Sequence, residues 1–269
     1  MIEVPFNMLN KIIANKVGEI RRAKAETPLG ELQRQLPDAP PVRDFFAALA
    51  GGGPIKLIAE VKKASPSAGV IREDFDAVEI ARCYQQHGAS CISVLTDQDF
   101  FQGNLGHLRA IREQVTIPLL RKDFILDEYQ LVEARLAGAD AVLLIAEALQ
   151  EDELSRLHQQ TIELDMTPLV EFYHAENANL VVAMGAKLVG VNNRDLNTFD
   201  TDLGHSTRMR QLIPSDRLLV AESGIHGPAD VLQLAQAQVD AMLVGQHLVE
   251  AEDIGLAVDN LMAAARGSD

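Results

Sequence analysis

Short apolar runs alternate with amphipathic stretches along most of this chain. Runs of four or five mainly apolar residues are typical of buried strands, because they are too short for a buried helix. From residue 56 onward the sequence predicts eight such strands: Leu57–Val61, Cys91–Leu95, Leu119–Lys122, Ala141–Ile145, Leu169–Phe172, Leu188–Asn192, Leu218–Glu222 and Ala241–Gly245.

Amphipathic stretches lie between these runs and after the last one, with apolar residues at the spacing of a helix face. Strands that alternate with helices pair in parallel through right-handed crossovers, and eight units fit a closed barrel better than an open sheet. We therefore predict an α/β fold, a (β/α)8 TIM barrel. The predicted helices are Ala77–His87, Leu105–Gln114, Glu128–Ala137, Glu151–Glu163, Ala175–Met184, Ser206–Ile213, Pro228–Gln236 and Ile254–Ala265.

The first 50 residues do not follow this alternation. A helix is predicted over residues 8–25, a proline-rich connection follows, and a shorter helix is predicted over Val42–Ala50. We interpret residues 1–269 as a single barrel domain, of which 1–50 is an N-terminal helical extension. The first helix is predicted from five apolar residues at helical spacing, with basic residues between them: Leu9, Ile12, Ile13, Val17 and Ile20.

Polar side chains gather at the C-terminal ends of the predicted strands, where barrels of this class carry their active sites. Side chains alternate along a strand, so Glu60 and Lys62 share one side and Lys63 points to the other. The same alternation predicts that polar residues of four strands converge in the barrel mouth. Any one of these residues could belong to a structural ion pair, but that explanation fits the whole set poorly. The set is Glu60, Lys62, Lys122, Glu171 and Asn192.

Two small-residue turns follow the last two strands, Ser223-Gly224 and Gly245-Gln246. Exposed backbone N–H groups and a helix N-terminus there favour an anion, and barrels commonly bind phosphate at this position. The alternative is that both turns only close the barrel.

Composition narrows the classes of partner. The net charge is −15 and the sequence pI is about 4.8, which argues against nucleic acid or an anionic membrane as partner. Two cysteines do not make a disulfide framework, and the N-terminus has no apolar signal core, so a cytoplasmic location is expected. The sequence leaves the oligomeric state open and is compatible with a monomer.

The seven histidines are scattered, without the spacing of metal ligands, so we predict no metal site. His87, His158 and His205 are interpreted as solvated or capping residues. Cys83 and Cys91 are interpreted as packing groups rather than nucleophiles.

Several long motifs in this sequence resemble indole-3-glycerol phosphate synthase. The resemblance implies a (β/α)8 barrel with an extra N-terminal helical segment, acting in tryptophan biosynthesis without a cofactor. The implied substrate is 1-(2-carboxyphenylamino)-1-deoxy-D-ribulose 5-phosphate, which closes to an indole with loss of CO2 and water. The motifs are Ile-Ala-Glu60-Val-Lys62-Lys-Ala-Ser-Pro-Ser-Ala-Gly, Leu-Thr-Asp97-Gln-Asp-Phe-Phe-Gln-Gly103, Leu-Leu-Arg-Lys122-Asp-Phe-Ile, Gly-Val-Asn192-Asn-Arg194-Asp-Leu and Glu222-Ser-Gly-Ile.

The resemblance also implies roles for individual residues. Lys122 would be the acid that polarises the ribulose carbonyl during ring closure. Glu171 and Lys62 would serve the dehydration, with the division of acid and base left open. Glu60 would orient Lys62, and Asn192 would hold Glu171 or a substrate hydroxyl. Phe101, Phe124 and Leu143 would surround the anthranilate ring. The remaining substrate contacts would be Ser65, Arg194 and Glu222, and the phosphate contacts would be Ser223, Gly224, Gly245 and Gln246.

Two positions depart from the family pattern. Ala68 follows Ser67 where the family often has a basic residue, and Gln246 follows Gly245 where the family usually has serine. We expect altered loop closure or altered product release from the first and, at most, weaker phosphate binding from the second.

Three other functions fit the sequence less well. Phosphoribosylanthranilate isomerase, the neighbouring barrel enzyme of the pathway, needs a different acid–base pair. A Schiff-base aldolase would use Lys122 covalently, and a sugar-phosphate binder would keep its function without Lys122.

Overall fold

The computed structural model describes residues 8–195 and 200–267 and contains a closed barrel of eight parallel strands. Each strand pairs with the next along the chain, and the first pairs with the last, which confirms the predicted fold class. Residues 1–7 of the predicted extension lie outside the described residues. The strands are β1 (Lys56–Val61), β2 (Cys91–Leu95), β3 (Leu119–Lys122), β4 (Ala141–Ile145), β5 (Thr167–Phe172), β6 (Leu188–Asn192), β7 (Leu218–Glu222) and β8 (Ala241–Val244).

Helices precede the barrel and connect its strands. Short 3₁₀ helices lie at Leu36–Asp38, Ala146–Ala148 and Arg210–Leu212, and a small antiparallel pair, Ala64–Ser65 with Gly69–Val70, follows β1. The α-helices are α1 (Met8–Glu26), α2 (Leu29–Gln33), α3 (Phe45–Leu49), α4 (Ala77–Gln86), α5 (Leu105–Gln114), α6 (Glu128–Ala137), α7 (Glu151–Glu163), α8 (Glu176–Ala183), α9 (Gly204–Met209), α10 (Pro228–Gln236), α11 (Gln246–Glu250) and α12 (Ile254–Arg266). None of the helices in these ranges is both long and apolar enough to span a membrane.

Element boundaries differ from the prediction at a few places. Strand β5 begins two residues early, because Thr167 N donates to Asp140 O and extends the ladder. Strand β8 ends at Val244, since the carbonyl of Gly245 already accepts the first bonds of α11. Helix α9 covers Gly204–Met209 instead of Ser206–Ile213, and the last turn becomes 3₁₀. The short helix α2 was not predicted.

The core has two layers, as the alternation of side chains along a strand requires. One layer lies between the sheet and the outer helices, and the other fills the barrel. Phe45 and Leu49 of α3 join the inner layer beside Cys91 and Ala241, which begin their strands, so α3 covers the N-terminal end of the barrel. The inner layer includes Ile58, Leu120, Leu143, Leu169, Leu188, Val220 and Leu243.

Helix α1 lies across the opposite end of the barrel, where it buries Leu9, Ile12, Ile20 and, unexpectedly, Lys16. The predicted apolar face was wrong at Val17, which is 46% exposed. The Lys16 ammonium takes the buried position because carboxylates from the barrel rim compensate its charge.

Asp140 and His158 are among the buried polar residues at the barrel periphery. The Asp140 carboxylate, at the N-terminal end of β4, accepts from Arg112 Nη1 and from the backbone N–H groups of Arg43 and Leu119. His158 in α7 is 6% exposed, so the prediction that it is solvated or capping was wrong. Its position on the inner face of an amphipathic helix decides its burial, and burial lowers its pKa.

Candidate active site

A cavity opens at the C-terminal ends of the strands, and every predicted site residue lines it. The cavity has a charged floor, an apolar wall and a rim of small-residue turns. Parallel strands bring their C-terminal ends together, which is why residues more than 150 positions apart in sequence share this space. The structure thus brings the predicted residues together, while their individual roles stay predictions.

Lys122 is the centre of the charged floor. Its Nζ lies 3.3 Å from Glu222 Oε2, 3.8 Å from Glu171 Oε2 and 3.9 Å from Glu60 Oε1. These three carboxylates come from three different strands, and each glutamate is at most 4% exposed. Burial alone would lower the pKa of Lys122, but the glutamates outweigh it and raise that pKa above its ordinary value. Lys122 therefore remains an ammonium at neutral pH.

The remaining groups of the floor hold these charges in place. Lys62 Nζ lies 2.9 Å from Glu60 Oε2, as the alternation along β1 predicts. Asn192 Nδ2 donates to Glu171 Oε1 over 3.3 Å, and Asn192 Oδ1 accepts from the backbone N–H of Arg194. Asn192 thus orients the Glu171 carboxylate.

The glutamates of the floor differ in their proton affinity. Burial would raise the pKa of Glu60, but Lys62 and Lys122 hold it below its ordinary value. Burial and the neighbouring Glu171 carboxylate raise the pKa of Glu222 well above its ordinary value, and Lys122 offsets this only in part. The floor therefore combines a carboxyl group whose pKa is lowered, Glu60, with one whose pKa is raised, Glu222.

The apolar wall is formed by aromatic and aliphatic side chains. The rings of Phe101 and Phe124 lie 6.2 Å apart with an interplanar angle of 37°. Leu143 lies beside them, and α1 adds Leu9 and Ile12, which the sequence analysis did not assign to the site. The helical periodicity of α1 placed both residues on a buried face, but nothing local indicated what that face covers. A flat apolar ring fits this wall.

The turns after β7 and β8 form the far rim. Ser223 and Gly224 have φ values of 68° and 77°, the left-handed region, and Asn193 Nδ2 donates to the carbonyl of Ser223. Gly245 precedes Gln246, whose Nε2 donates to Glu250 Oε1 and so turns along α11. Backbone N–H groups in such turns and at a helix N-terminus can bind an anion.

Other cavity residues escaped the prediction because their types carry no specific signal. Ser67, His226 and His247 line the cavity from its rim, and the two imidazole centroids lie 6.4 Å apart. Ser65, which was predicted, caps its own loop: its Oγ accepts from Ala68 N over 3.2 Å. In residues 8–195 and 200–267, no group of three or more His, Cys, Asp or Glu side chains has a metal-binding arrangement.

Comparison with known proteins places this chain among the relatives of one enzyme family. The family model for indole-3-glycerol phosphate synthase matches residues 9–261. Two curated proteins named indole-3-glycerol phosphate synthase are similar over nearly their whole length. The relative from Rhodopirellula baltica is 51% identical and covers 96% of this chain and 100% of its own length. The relative from Roseiflexus castenholzii is 48% identical, with 92% and 95% covered.

Solved structures show the same fold at lower sequence similarity. A 3-hexulose-6-phosphate synthase aligns with a TM-score of 0.64 at 18% identity, covering 78% of this chain and 99% of its own. A thiamine phosphate pyrophosphorylase from Pyrococcus furiosus aligns with a TM-score of 0.60 at 16% identity, with 80% and 96% covered. At these identities the comparison concerns the barrel architecture alone.

Proposed function

This chain belongs to the indole-3-glycerol phosphate synthase family, and we propose that the cavity at its strand ends carries out the family's reaction with Lys122 as the acid. The chain is a carboxy-lyase of tryptophan biosynthesis. It closes 1-(2-carboxyphenylamino)-1-deoxy-D-ribulose 5-phosphate to indole-3-glycerol phosphate with loss of CO2 and water.

The position of Lys122 among three carboxylates is the observation that supports this role. Ring closure joins the aromatic carbon bearing the carboxylate to the ribulose carbonyl carbon, and negative charge develops on the carbonyl oxygen. An ammonium that stays protonated can stabilise that charge and donate its proton. Loss of CO2 then returns the bonding electrons to the ring and restores its aromaticity.

Dehydration needs one group to remove a proton and another to protonate the leaving hydroxyl. We assign this step to Glu171 and Lys62. Asn192 fixes Glu171 by its hydrogen bond, and Glu60 fixes Lys62 by an ion pair of 2.9 Å. These contacts fit either residue as the acid and the other as the base, so we assign the two roles jointly.

The two ends of the substrate fit opposite parts of the cavity. We assign the anthranilate ring to the wall of Phe101, Phe124 and Leu143, and the phosphate to the turns at Ser223-Gly224 and Gly245-Gln246. Backbone N–H groups make the phosphate contacts in this arrangement, so Gln246 in place of serine retains them. Ser65, Arg194 and Glu222 are left to contact the chain of hydroxyl groups between the two ends. We further propose a cytoplasmic location, in keeping with a biosynthetic family and two free cysteines.

The decisive experiment follows the fluorescence of the indole product after adding the synthetic substrate. Wild-type protein is expected to turn over, and Lys122→Met is expected to lose nearly all turnover. Lys63→Met is expected to keep it, because Lys63 is not among the residues that line the cavity. Turnover by Lys122→Met at the wild-type rate would refute the assignment of the acid. Borohydride trapping of a substrate adduct would instead indicate Schiff-base chemistry.

A further inference from the structure

The buried Lys16 of α1 touches none of the charged floor, but it connects the two loops that present the apolar wall. Its Nζ lies 2.8 Å from Asp97 Oδ2, 3.0 Å from Asp123 Oδ1 and 2.7 Å from Glu19 Oε2. Lys16 is 3% exposed and the two aspartates are 0% and 3% exposed. A lysine is almost never buried to this degree unless it is paired. We call these four residues, Lys16, Glu19, Asp97 and Asp123, the Lys16 cluster.

Asp97 holds the loop that follows β2. Its Oδ1 accepts from the backbone N–H of Phe100, and its carbonyl accepts from Gly103 N over 2.7 Å. A Cβ at Gly103 would meet the carbonyls of Leu95 and Asp97, so this loop is tightly folded against the strand end. Phe101 lies in this loop between Phe100 and Gly103, whose backbone N–H groups both donate to Asp97.

Asp123 holds the loop that follows β3. Its Oδ2 accepts from Thr96 Oγ1 and Arg121 Nη2, and its Oδ1 accepts from the backbone N–H of Phe124. Burial would raise the pKa of Asp123, but Arg121 and Lys16 lower it to about 2, so this carboxylate stays ionised. Asp123 directly follows Lys122 and directly precedes Phe124.

We propose that Lys16 is a positioning residue, which sets the spacing of Phe101 and Phe124 by joining their loops to α1. The inference rests on the proposed function, since it concerns the site for the anthranilate ring. Lys122 itself is held by its strand and three glutamates, so Lys16 acts mainly on substrate binding. A contact made equally in the bound state and the transition state changes KM more than kcat.

The test measures KM, kcat and thermal unfolding for Lys16→Met and for Lys24→Met. Lys24 is the matched control, because it also joins α1 to the barrel, by an ion pair of 2.7 Å with Asp127, but lies away from the cavity. Lys16→Met is expected to raise KM roughly tenfold, which corresponds to a loss of about 1.4 kcal/mol of binding, with a smaller change in kcat. Lys24→Met is expected to keep both constants.

A merely structural role would give a different pattern. Loss of folded protein lowers the apparent kcat and leaves KM unchanged, so a wild-type KM in Lys16→Met would overturn the proposal. If Lys16→Met does not fold, Asp97→Asn provides the milder variant. It retains an oxygen for Phe100 N, loses the charge facing Lys16, and is expected to raise KM by a smaller factor.

A double-mutant cycle with Phe101→Leu locates the effect. If Lys16 acts through the aromatic wall, Lys16→Met raises KM less in the Phe101→Leu background than in the wild type. Full additivity would contradict the proposal. Failure of the proposed function has a separate signature, because the wild-type protein itself would then give no indole fluorescence.

Discussion

Replacing Glu222 by glutamine is expected to stabilise the protein, increasingly so as the pH rises. Glu222 is 1% exposed, next to Glu171, and its pKa is raised well above the ordinary value by burial and by that neighbour. In the unfolded chain a glutamate titrates at about pH 4.3. Above that pH the unfolded state loses the proton while the folded state keeps it, so folding becomes coupled to proton uptake and stability falls.

The magnitude follows from this linkage. Between about pH 4.3 and the raised pKa of the folded state, one coupled proton lowers the free energy of unfolding by about 1.4 kcal/mol per pH unit. Glutamine resembles the protonated glutamate and does not titrate, so Glu222→Gln escapes this loss. For a chain of this size the difference in Tm should grow by about 3–5 °C per pH unit across that window.

Thermal unfolding followed by circular dichroism from pH 4 to pH 8 measures this difference directly. Glu176→Gln is the control, because Glu176 is exposed in the first turn of α8 and should shift little with pH. A constant offset between Glu222→Gln and wild type over the whole range would refute the reasoning. It would mean that Glu222 is ionised in the folded protein over that range.

Three further substitutions probe other parts of the barrel. Asp140→Asn should cost about 3–5 kcal/mol of stability, because Arg112 loses a buried partner, while kcat per folded molecule stays at the wild-type value in a turnover assay. Gly190→Ala places a Cβ 2.5 Å from Glu222 Oε1. It should lower the free energy of unfolding by about 1–3 kcal/mol and lower kcat. A wild-type kcat would show that the charged floor tolerates this displacement. Gly224 has a φ of +77°, which an alanine side chain disfavours. In Gly224→Ala, KM and the inhibition constant of inorganic phosphate should therefore both rise. An unchanged inhibition constant would indicate that the phosphate binds elsewhere.

The fold was predictable because apolar runs and amphipathic stretches alternate regularly after residue 56. The alternation of side chains along a strand was equally informative. It predicted that Glu60 and Lys62 lie on the same side, and they form an ion pair in the structure. Boundaries were less accurate where a single residue serves two elements. Gly245 reads as the end of a strand, yet its carbonyl accepts the first bonds of α11.

The contribution of the N-terminal helix to the site could not be predicted in the same way. Lys16 occupies a position four residues from both Ile12 and Ile20, on the buried side of α1. A lysine there is a recognisable anomaly, but its partners Asp97 and Asp123 lie 81 and 107 residues further along the chain. Only tertiary structure shows which distant carboxylates compensate a buried ammonium.

Phe45 and Leu49 of α3 cover the N-terminal end of the barrel, which has a consequence for substrate entry and product release. Both side chains are at most 2% exposed, and in the described part of the chain the cavity opens toward the C-terminal ends of the strands. Carbon dioxide, water and indole-3-glycerol phosphate are therefore expected to leave through the same opening by which the substrate enters. We therefore expect the product to leave before the next substrate molecule can enter.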